Sequence, residues 1–172
     1  AVHKLSAEHY ARVYFDLFGL ETVSLRFFNV YGPRQDPSSP YSGVISIFMA
    51  KATSNQVPVI YGDGNQSRDF VYVKDVVKAN LLAANSGNLA GNVLNIGTGS
   101  DVLINRLWEM IAGLGGLRLA PRYEPARSGD ILHSVAGMEL THSILNFNYD
   151  FTLEQGLQKT FDWYRDQMAE DR

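Results

Sequence analysis

Residues 21–30 constrain the fold more than any other part of the sequence. They follow a glycine-containing turn, are rich in β-branched and aromatic residues, and show little alternation of polar and apolar side chains. A strand of this composition is typical of parallel sheets whose two faces are both covered. Residues 1–18 precede it without glycine or proline and carry apolar side chains at helical spacing. The sequence therefore predicts an α/β fold built on parallel strands.

The rest of the chain continues this alternation of short apolar runs and helical stretches. A proline-rich loop begins at Gly32, and glycine turns follow several of the apolar runs. The further strands are predicted at residues 57–61, 70–73, 92–96 and 118–123. The further helices are predicted at residues 44–52, 76–84, 104–111 and 152–164. No repeat, low-complexity tract or linker divides the sequence, so we expect one unit.

Composition excludes several classes of function. The 172 residues are 45% hydrophobic and 19% charged, which is ordinary for a globular domain. A net charge of −3 offers no basic surface for nucleic acid, and no apolar run reaches the ~18 residues of a membrane span. No secretion signal is evident at the N-terminus. The absence of cysteine fits a reducing compartment, so we expect a cytoplasmic protein without nucleic-acid or membrane partners.

Three arginines in loop-like segments are the clearest candidates for ligand binding. They are Arg34, Arg68 and Arg127. An arginine fork can grip a phosphate through two N–H groups, so two such residues from distant loops can clamp a diphosphate. The alternative is that each is a solvated surface residue or is paired with a neighbouring aspartate. Spacing alone leaves both interpretations open.

Other residues and motifs limit the kinds of site that the sequence predicts. Asn29 lies near the end of a predicted parallel strand, where ligands bind in open sheets, although a turn-capping amide is an equally good interpretation. Lys4, taken alone, reads as a surface lysine. The four histidines lack metal-ligand spacing, and no Gly-x-Ser-x-Gly, Gly-x-Gly-x-x-Gly or Walker A sequence occurs. A metal centre, a hydrolase triad and a dinucleotide phosphate cradle are therefore not predicted.

Five ordered segments resemble the C-terminal part of an extended short-chain dehydrogenase/reductase of the NAD-dependent nucleotide-sugar epimerase family. UDP-glucose and UDP-N-acetylglucosamine 4-epimerases are the most similar members. The resemblance covers essentially the whole chain, and the segments are specific only as a set. They are Ala-Val-His-Lys (1–4), Leu-Arg-Phe-Phe-Asn-Val-Tyr-Gly-Pro-Arg-Gln (25–35), Tyr-Gly-Asp-Gly with Ser-Arg-Asp-Phe (61–64, 67–70), Asn-Ile-Gly-Thr-Gly (95–99) and Arg-Ser-Gly-Asp (127–130).

The resemblance implies NAD as cofactor of the full-length parent and assigns two residues of this sequence to it, although we do not expect this chain alone to bind NAD. Lys4 matches the lysine of the family's Tyr-x-x-x-Lys motif, which bonds the nicotinamide ribose and lowers the pKa of the catalytic tyrosine. A fixed ammonium group favours the phenolate, which makes tyrosine a usable base near neutral pH. Phe28 matches the residue beside the nicotinamide.

The resemblance also implies a UDP-sugar as the small-molecule partner. The matching substrate residues contact the phosphates, the uridine, the ribose or the hexose. They are Asn29, Gly43, Val44, Val59, Tyr61, Arg68, Arg127, Asp130 and Ser134. Arg68 and Arg127 match the diphosphate arginines, and Asp130 matches a ribose-hydroxyl acceptor. Ser134 matches the gate beside the hexose, where a small residue favours N-acetylated sugars, unless it is merely a short strand residue.

The departure from the family pattern is large. The motif tyrosine would stand immediately before Ala1, and the glycine-rich βα turn and the Ser/Thr of the triad have no counterpart in the sequence. We therefore expect one incomplete unit, with residues 1–31 ending a Rossmann-like domain. Residues 32–172 then form mainly a nucleotide-sugar lobe, of which residues 71–99 return to the Rossmann-like sheet.

Three functional hypotheses remain open. The first is a fragment of a UDP-sugar 4-epimerase that is inactive alone, and the second is a stand-alone nucleotide-sugar binding module. The third is a dehydratase, decarboxylase or reductase of the same superfamily. Exposed apolar surface on the first helix and strand predicts self-association, and the family's helical bundle implies a homodimer.

Overall fold

A computed structural model describes residues 2–39, 42–87 and 89–170, and these residues form six helices and nine short strands. The helices are α1 (Val2–Phe18), α2 (Val44–Thr53), α3 (Val73–Asn85), α4 (Ile104–Leu114), α5 (Glu139–Leu145) and α6 (Leu153–Glu170). The strands are β1 (Val23–Phe27), β2 (Asn29–Tyr31), β3 (Val59–Tyr61), β4 (Ser67–Arg68), β5 (Phe70–Tyr72), β6 (Asn92–Ile96), β7 (Val102–Leu103), β8 (Arg122–Glu124) and β9 (His133–Ser134). Ala1, the first residue of the predicted N-terminal helix, lies outside the described residues.

Parallel pairing dominates the strands, as the α/β prediction requires. β1 pairs with β6, β2 pairs with β5, and β3 pairs with β8, all in parallel. Helices separate the paired strands along the chain, which is the crossover connection that parallel strands need. β4 lies between β7 and β9 in a small three-stranded sheet.

The single strand predicted at residues 21–30 is in fact two strands that break at Phe28. The Phe28 N–H donates to the Ile96 carbonyl at 3.0 Å, whereas the Asn29 N–H donates to the Asp69 carbonyl at 3.1 Å. The extended chain therefore leaves β6 at this point and joins β5. Cover on both faces was also wrong for the end of β1, since Phe27 is 47% exposed.

Two hydrophobic clusters hold the elements together. The first packs α2, α4 and α6 on one another, with the rings of Phe48 and Trp108 in an edge contact at 5.4 Å. The second joins α3, α5 and the strands β5 and β6 around Leu94 and Phe147, which have no exposed surface. α2 and α4 both begin beside the cleft described below, so the first cluster sets the position of its floor.

The first helix lies on β1 through polar contacts and keeps an apolar face open. Arg26 donates to the Glu8 carboxylate at 2.8 and 2.6 Å, and the Thr22 hydroxyl donates to the Ala11 carbonyl at 2.8 Å. No residue of α1 is buried. Its large exposed apolar side chains are Val2, Leu5, Tyr10, Val13, Tyr14, Leu17 and Phe18. Within the part of the chain that the structure describes, no helix combines the length and apolarity that a membrane crossing needs.

Several short elements were not predicted. α5 has only seven residues and ends at Asn146 in the left-handed conformation (φ 49°), while β4, β7 and β9 have two residues each. Elements this short carry too few residues for a readable period. β8 lies at residues 122–124 instead of 118–123, and α3 begins at Val73 instead of residue 76.

Candidate functional site

A cleft of about 220 Å³ lies where β3, β4 and the first residues of α2 and α4 meet the loop 125–130. Its apolar floor comes largely from α2 and β3. The residues that line it are Asn29, Ser42, Val44, Ile47, Phe48, Val59, Ile60, Tyr61, Gln66, Arg68, Ile104, Arg127 and Asp130.

Arg68 and Arg127, which are distant in sequence, both line this cleft. Arg68 stands on β4 with its side chain only 17% exposed. Its Nη1 donates to the Ser67 carbonyl at 2.8 Å, and its Nη2 donates to the Asp130 carboxylate. These two bonds fix the orientation of the guanidinium group.

Arg127 is positioned differently, by an aromatic ring. Its guanidinium carbon lies 3.8 Å from the centroid of the Tyr61 ring, which is cation–π geometry. Tyr61 is the last residue of β3, and the pairing of β3 with β8 fixes its position. Arg127 also shares a turn with Asp130, whose N–H donates to the Arg127 carbonyl at 3.2 Å.

Asn29 reaches the cleft from the first residue of β2. Its Nδ2 donates to the Asp69 carbonyl at 2.9 Å, as expected if the amide has a structural role. The residue nevertheless lines the cleft, so the two interpretations of Asn29 are compatible. A bond of this kind fixes the orientation of the amide and determines which atom it can offer to a ligand.

The carboxylate of Asp69 organises the backbone behind the cleft. It is fully buried and accepts bonds from the N–H groups of Thr98, Gly99 and Ala136 and from the Thr98 hydroxyl, at 2.7 to 3.2 Å. Gly97 permits this packing, since a Cβ there would lie 2.7 Å from Oδ2 of Asp69. Asp69, the residue after Arg68, therefore ties the end of β4 to residues 98–99 and to Ala136.

The charges of the cleft favour an anionic ligand. Two guanidinium groups and one carboxylate are the charged groups among the described lining residues, which makes the net charge +1.

Burial raises the pKa of Tyr31 well above its usual range and that of Tyr164 to about 12, so neither phenol can act as a base near neutral pH. Within residues 2–39, 42–87 and 89–170, no three His, Asp or Glu side chains gather to hold a metal ion.

Comparison with known proteins identifies the family to which this chain belongs. Residues 1–97 match the model of the NAD dependent epimerase/dehydratase family, which is more than half of the chain. The chain belongs to the NAD dependent epimerase/dehydratase family. A putative UDP-glucose 4-epimerase of Methanocaldococcus jannaschii is 41% identical over 162 residues, which cover 94% of this chain and 52% of that protein.

Solved structures of epimerases share the fold. The UDP-glucose 4-epimerase of Thermotoga maritima, solved with UDP-glucose, superposes with a TM-score of 0.92 at 37% identity, covering 97% of this chain and 53% of that one. The UDP-N-acetylglucosamine 4-epimerase of Methanobrevibacter ruminantium, solved with UDP-N-acetylmuramic acid, superposes with a TM-score of 0.90 at 41% identity, covering 95% and 52%. The chain thus spans about half the length of the curated relatives it matches.

Of the residues assigned from the epimerase resemblance, Asn29, Val44, Val59, Tyr61, Arg68, Arg127 and Asp130 line the cleft. Gly43 caps α2 between two lining residues, and Ser134 is the β9 register partner of Arg68. The side chain of Lys4 is exposed on α1, and Phe28 packs against the second hydrophobic cluster. Arg34 is exposed at a positive φ of 70° and is not among the lining residues.

Gln66 is a cleft residue that the sequence reasoning missed. Its Nε2 donates to the Tyr61 carbonyl at 2.7 Å, which joins the ends of the glycine turn at residues 62–64. It stands two residues before Arg68, and residues at this spacing in extended chain point to the same side. That alternation was the signal available.

Proposed function

We propose that this chain is the nucleotide-sugar half of an NAD-dependent UDP-sugar 4-epimerase and binds the UDP diphosphate between Arg68 and Arg127. The observation that carries the proposal is that both guanidinium groups line one cleft of net charge +1. The first turn of α2 adds to this, because the N–H groups at a helix N-terminus favour an anion. Similarity to epimerases solved with UDP-glucose and with UDP-N-acetylmuramic acid supports the choice of ligand.

Within this proposal the cleft residues have distinct roles. Asn29 and the two arginines contact the phosphates, while the Gly43–Val44 backbone and the strand from Val59 to Tyr61 hold the uridine. Asp130 accepts from a ribose hydroxyl. Ser134 lies beside the hexose, and its small side chain leaves room for an N-acetyl group. We therefore expect N-acetylated UDP-hexoses to be accepted.

The described residues do not fit NAD by themselves. In the parent enzyme, Lys4 and Phe28 would contact the nicotinamide end. In this structure, however, neither is among the residues lining the cleft, and the sequence contains no Gly-x-Gly-x-x-Gly turn. The tyrosine that would accept the proton of the sugar 4-hydroxyl is also not in the sequence before Lys4. We propose that these 172 residues alone have no epimerase turnover.

The proposal includes a division of the chain into parts of two domains and a cytoplasmic location. Residues 1–31 end the Rossmann-like domain and residues 32–172 form mainly the nucleotide-sugar lobe, with 71–99 returning to the sheet. The β1–β6 pair and the second hydrophobic cluster support that division. The lack of cysteine supports a cytoplasmic location, since a reducing compartment demands no disulfides.

The first test is calorimetric titration of the chain with UDP, UDP-glucose and UDP-N-acetylglucosamine. We expect each to bind with a Kd on the order of micromolar, because two charge-assisted grips act on one diphosphate. Uridine, which lacks phosphate, is the matched control and should bind at least about a hundredfold more weakly. Equal binding of uridine and UDP would contradict the proposed diphosphate site.

A second assay separates the fragment from a stand-alone binding module. The chain is supplied with NAD and UDP-sugars and the products are analysed for the 4-epimer. We expect none, and turnover by the chain alone would overturn the fragment proposal. The coding sequence upstream of Ala1 decides the rest, because an in-frame tyrosine behind a glycine-rich strand-turn-helix identifies a fragment, whereas a start codon there favours the module.

The open apolar face of α1 leads us to propose self-association, with a homodimer in the parent enzyme. Light scattering should give a mass above the 19.2 kDa of one chain. Leu17 is 70% exposed on this helix, so Leu17→Glu should lower the mass towards one chain, whereas His9→Glu on the same helix should not. A monomeric mass for the unchanged chain at high concentration would contradict the proposal.

A further inference from the structure

A hydrogen-bonded cluster of Ser67, Asp101 and His133 lies next to the cleft without lining it. Ser67 is the first residue of β4 and is buried. Its hydroxyl group contacts the Asp101 carboxylate and lies 3.0 Å from Nδ1 of His133. Asp101 directly precedes β7 and His133 begins β9, so the cluster joins all three strands of the small sheet.

The direction of the hydrogen bonds shows what this cluster can do. A carboxylate only accepts, so the Ser67 hydroxyl donates its one hydrogen to Asp101. The hydroxyl oxygen then accepts from His133, whose Nδ1 must carry a hydrogen. A histidine that donates to a serine cannot act as its base, so the cluster is not a hydrolase triad. It is a relay of hydrogen bonds that runs from β9 through β4 to β7.

Ser67 also orients Arg68. Its carbonyl accepts from Nη1 of Arg68 at 2.8 Å. Neighbouring side chains of a strand point to opposite faces, so the Ser67 hydroxyl anchors β4 from the face opposite the guanidinium. Strands of two residues have few main-chain bonds to hold them, such as the Ser67 N–H bond to the Leu132 carbonyl at 2.8 Å. The relay therefore limits movement of the carbonyl that binds the guanidinium.

We propose that Ser67 is a positioning residue for diphosphate binding and that its hydroxyl acts through Arg68. Held by Asp101 and His133, the hydroxyl keeps the Ser67 carbonyl where it aligns the guanidinium fork with the ligand. Hydrogen bonds weaken steeply when donor and acceptor are misaligned, so a small rotation of the planar fork loses one of its bonds to a phosphate. The inference rests on the proposed function, since it assumes that Arg68 binds the UDP diphosphate.

A double-mutant cycle tests whether Ser67 acts through Arg68. Calorimetric titration with UDP is carried out on the unchanged chain, Ser67→Ala, Arg68→Ala and the double variant. Ser67→Ala should weaken UDP binding about tenfold, the loss of one hydrogen bond to a charged group. In the Arg68→Ala background the same change should alter UDP affinity by less than about twofold, because the group that the hydroxyl positions is gone. An equal factor in both backgrounds would mean that Ser67 merely supports the cleft, and the inference would be wrong.

Three further variants distinguish positioning from a loss of folding. Ser67→Thr keeps the hydroxyl on a β-branched side chain that suits a strand, and it should bind UDP within about threefold of the unchanged chain. His133→Ala removes the other end of the relay at an exposed residue and should weaken UDP binding about fivefold. Thr160→Val is the matched control, because it removes a buried hydroxyl on α6 that does not line the cleft. Its UDP affinity should equal that of the unchanged chain.

The tautomer of His133 gives a spectroscopic test of the relay itself. At a pH where the imidazole is neutral, nitrogen chemical shifts should place its hydrogen on Nδ1, since the bond to Ser67 requires a donor there. Ser67→Ala should remove this preference. A hydrogen on Nε2 in the unchanged chain would contradict the relay and with it the inference.

The outcomes separate the inference from the function on which it rests. If UDP binds the unchanged chain and neither Ser67→Ala nor His133→Ala weakens its binding, the positioning role is wrong and the diphosphate site remains. If the unchanged chain does not bind UDP, the proposed function fails, and the inference that depends on it fails as well.

Discussion

Replacing Arg68 with alanine is expected to weaken UDP binding by about a hundredfold. The guanidinium fork supplies charge-assisted bonds that contribute about 1.5–3 kcal/mol each, and the loss also leaves the Asp130 carboxylate without its counterion. Arg68→Lys keeps the charge but loses the planar fork, so its affinity should fall between the two. Calorimetric titration with UDP measures all three proteins under the same salt conditions.

Arg106→Ala is the control for this loss of charge. Arg106 is exposed on α4, pairs with Glu109 one turn away, and is not among the residues that line the cleft. Its removal should leave UDP affinity within about twofold. If Arg68→Ala binds UDP as tightly as Arg106→Ala, the two-arginine diphosphate site is refuted. Arg127→Ala should match Arg68→Ala in direction, with an additional loss of order at the Tyr61 ring.

Asp69→Ala is expected to lower the free energy of unfolding by about 3–5 kcal/mol. The substitution removes a carboxylate with no exposed surface and leaves the backbone N–H groups of Thr98, Gly99 and Ala136 without their acceptor. Asp69→Asn retains one oxygen acceptor and should lose less, about 2 kcal/mol. Urea denaturation followed by circular dichroism gives both values.

Asp166→Asn, which removes an exposed carboxylate on α6, is the control and should change the free energy of unfolding by less than about 0.5 kcal/mol. A loss below about 1 kcal/mol for Asp69→Ala would contradict the role given to Asp69. At temperatures where Asp69→Asn remains folded, its UDP affinity should also fall, because the carboxylate fixes the main chain that follows Arg68 and whose carbonyl binds the Asn29 amide. A variant damaged only in stability would bind UDP normally when folded.

The fold class could be predicted from the sequence because the composition of the parallel strands indicates it. The unalternating run before Gly32 and the helical spacing on either side predicted the α/β fold that the structure and the related epimerases share. Phe28 shows the limit of that reasoning. Nothing in the composition of residues 21–30 indicates that the chain changes partner there, since the break depends on Ile96 and Asp69 far along the chain.

The residues of the cleft were likewise predictable from the sequence only in part. Spacing left Arg68 and Arg127 open between ligand binding in a shared site and ion pairing, and the family resemblance favoured the shared site. Arg68 lines the cleft and pairs with Asp130, which is distant in sequence, so its role in ligand binding stays a prediction. Asp69 reads in the sequence as a charged neighbour of an arginine. Its buried bonds come from Thr98, Gly99 and Ala136, and contacts this distant have no local signature.

The register of β4 and β9 has a consequence for how this lobe can diverge. Ser134 is the register partner of Arg68, and the Asp69 N–H donates to the Ser134 carbonyl at 2.9 Å. The main chain at position 134 is therefore rigidly coupled to the main chain that carries the anion grip. If the hexose lies beside Ser134, as proposed, a change in sugar preference requires replacement of the Ser134 side chain, since a shift of this backbone would also move the Arg68 guanidinium. Under that proposal, evolution can alter the preferred sugar and leave the nucleotide-binding arginine in place.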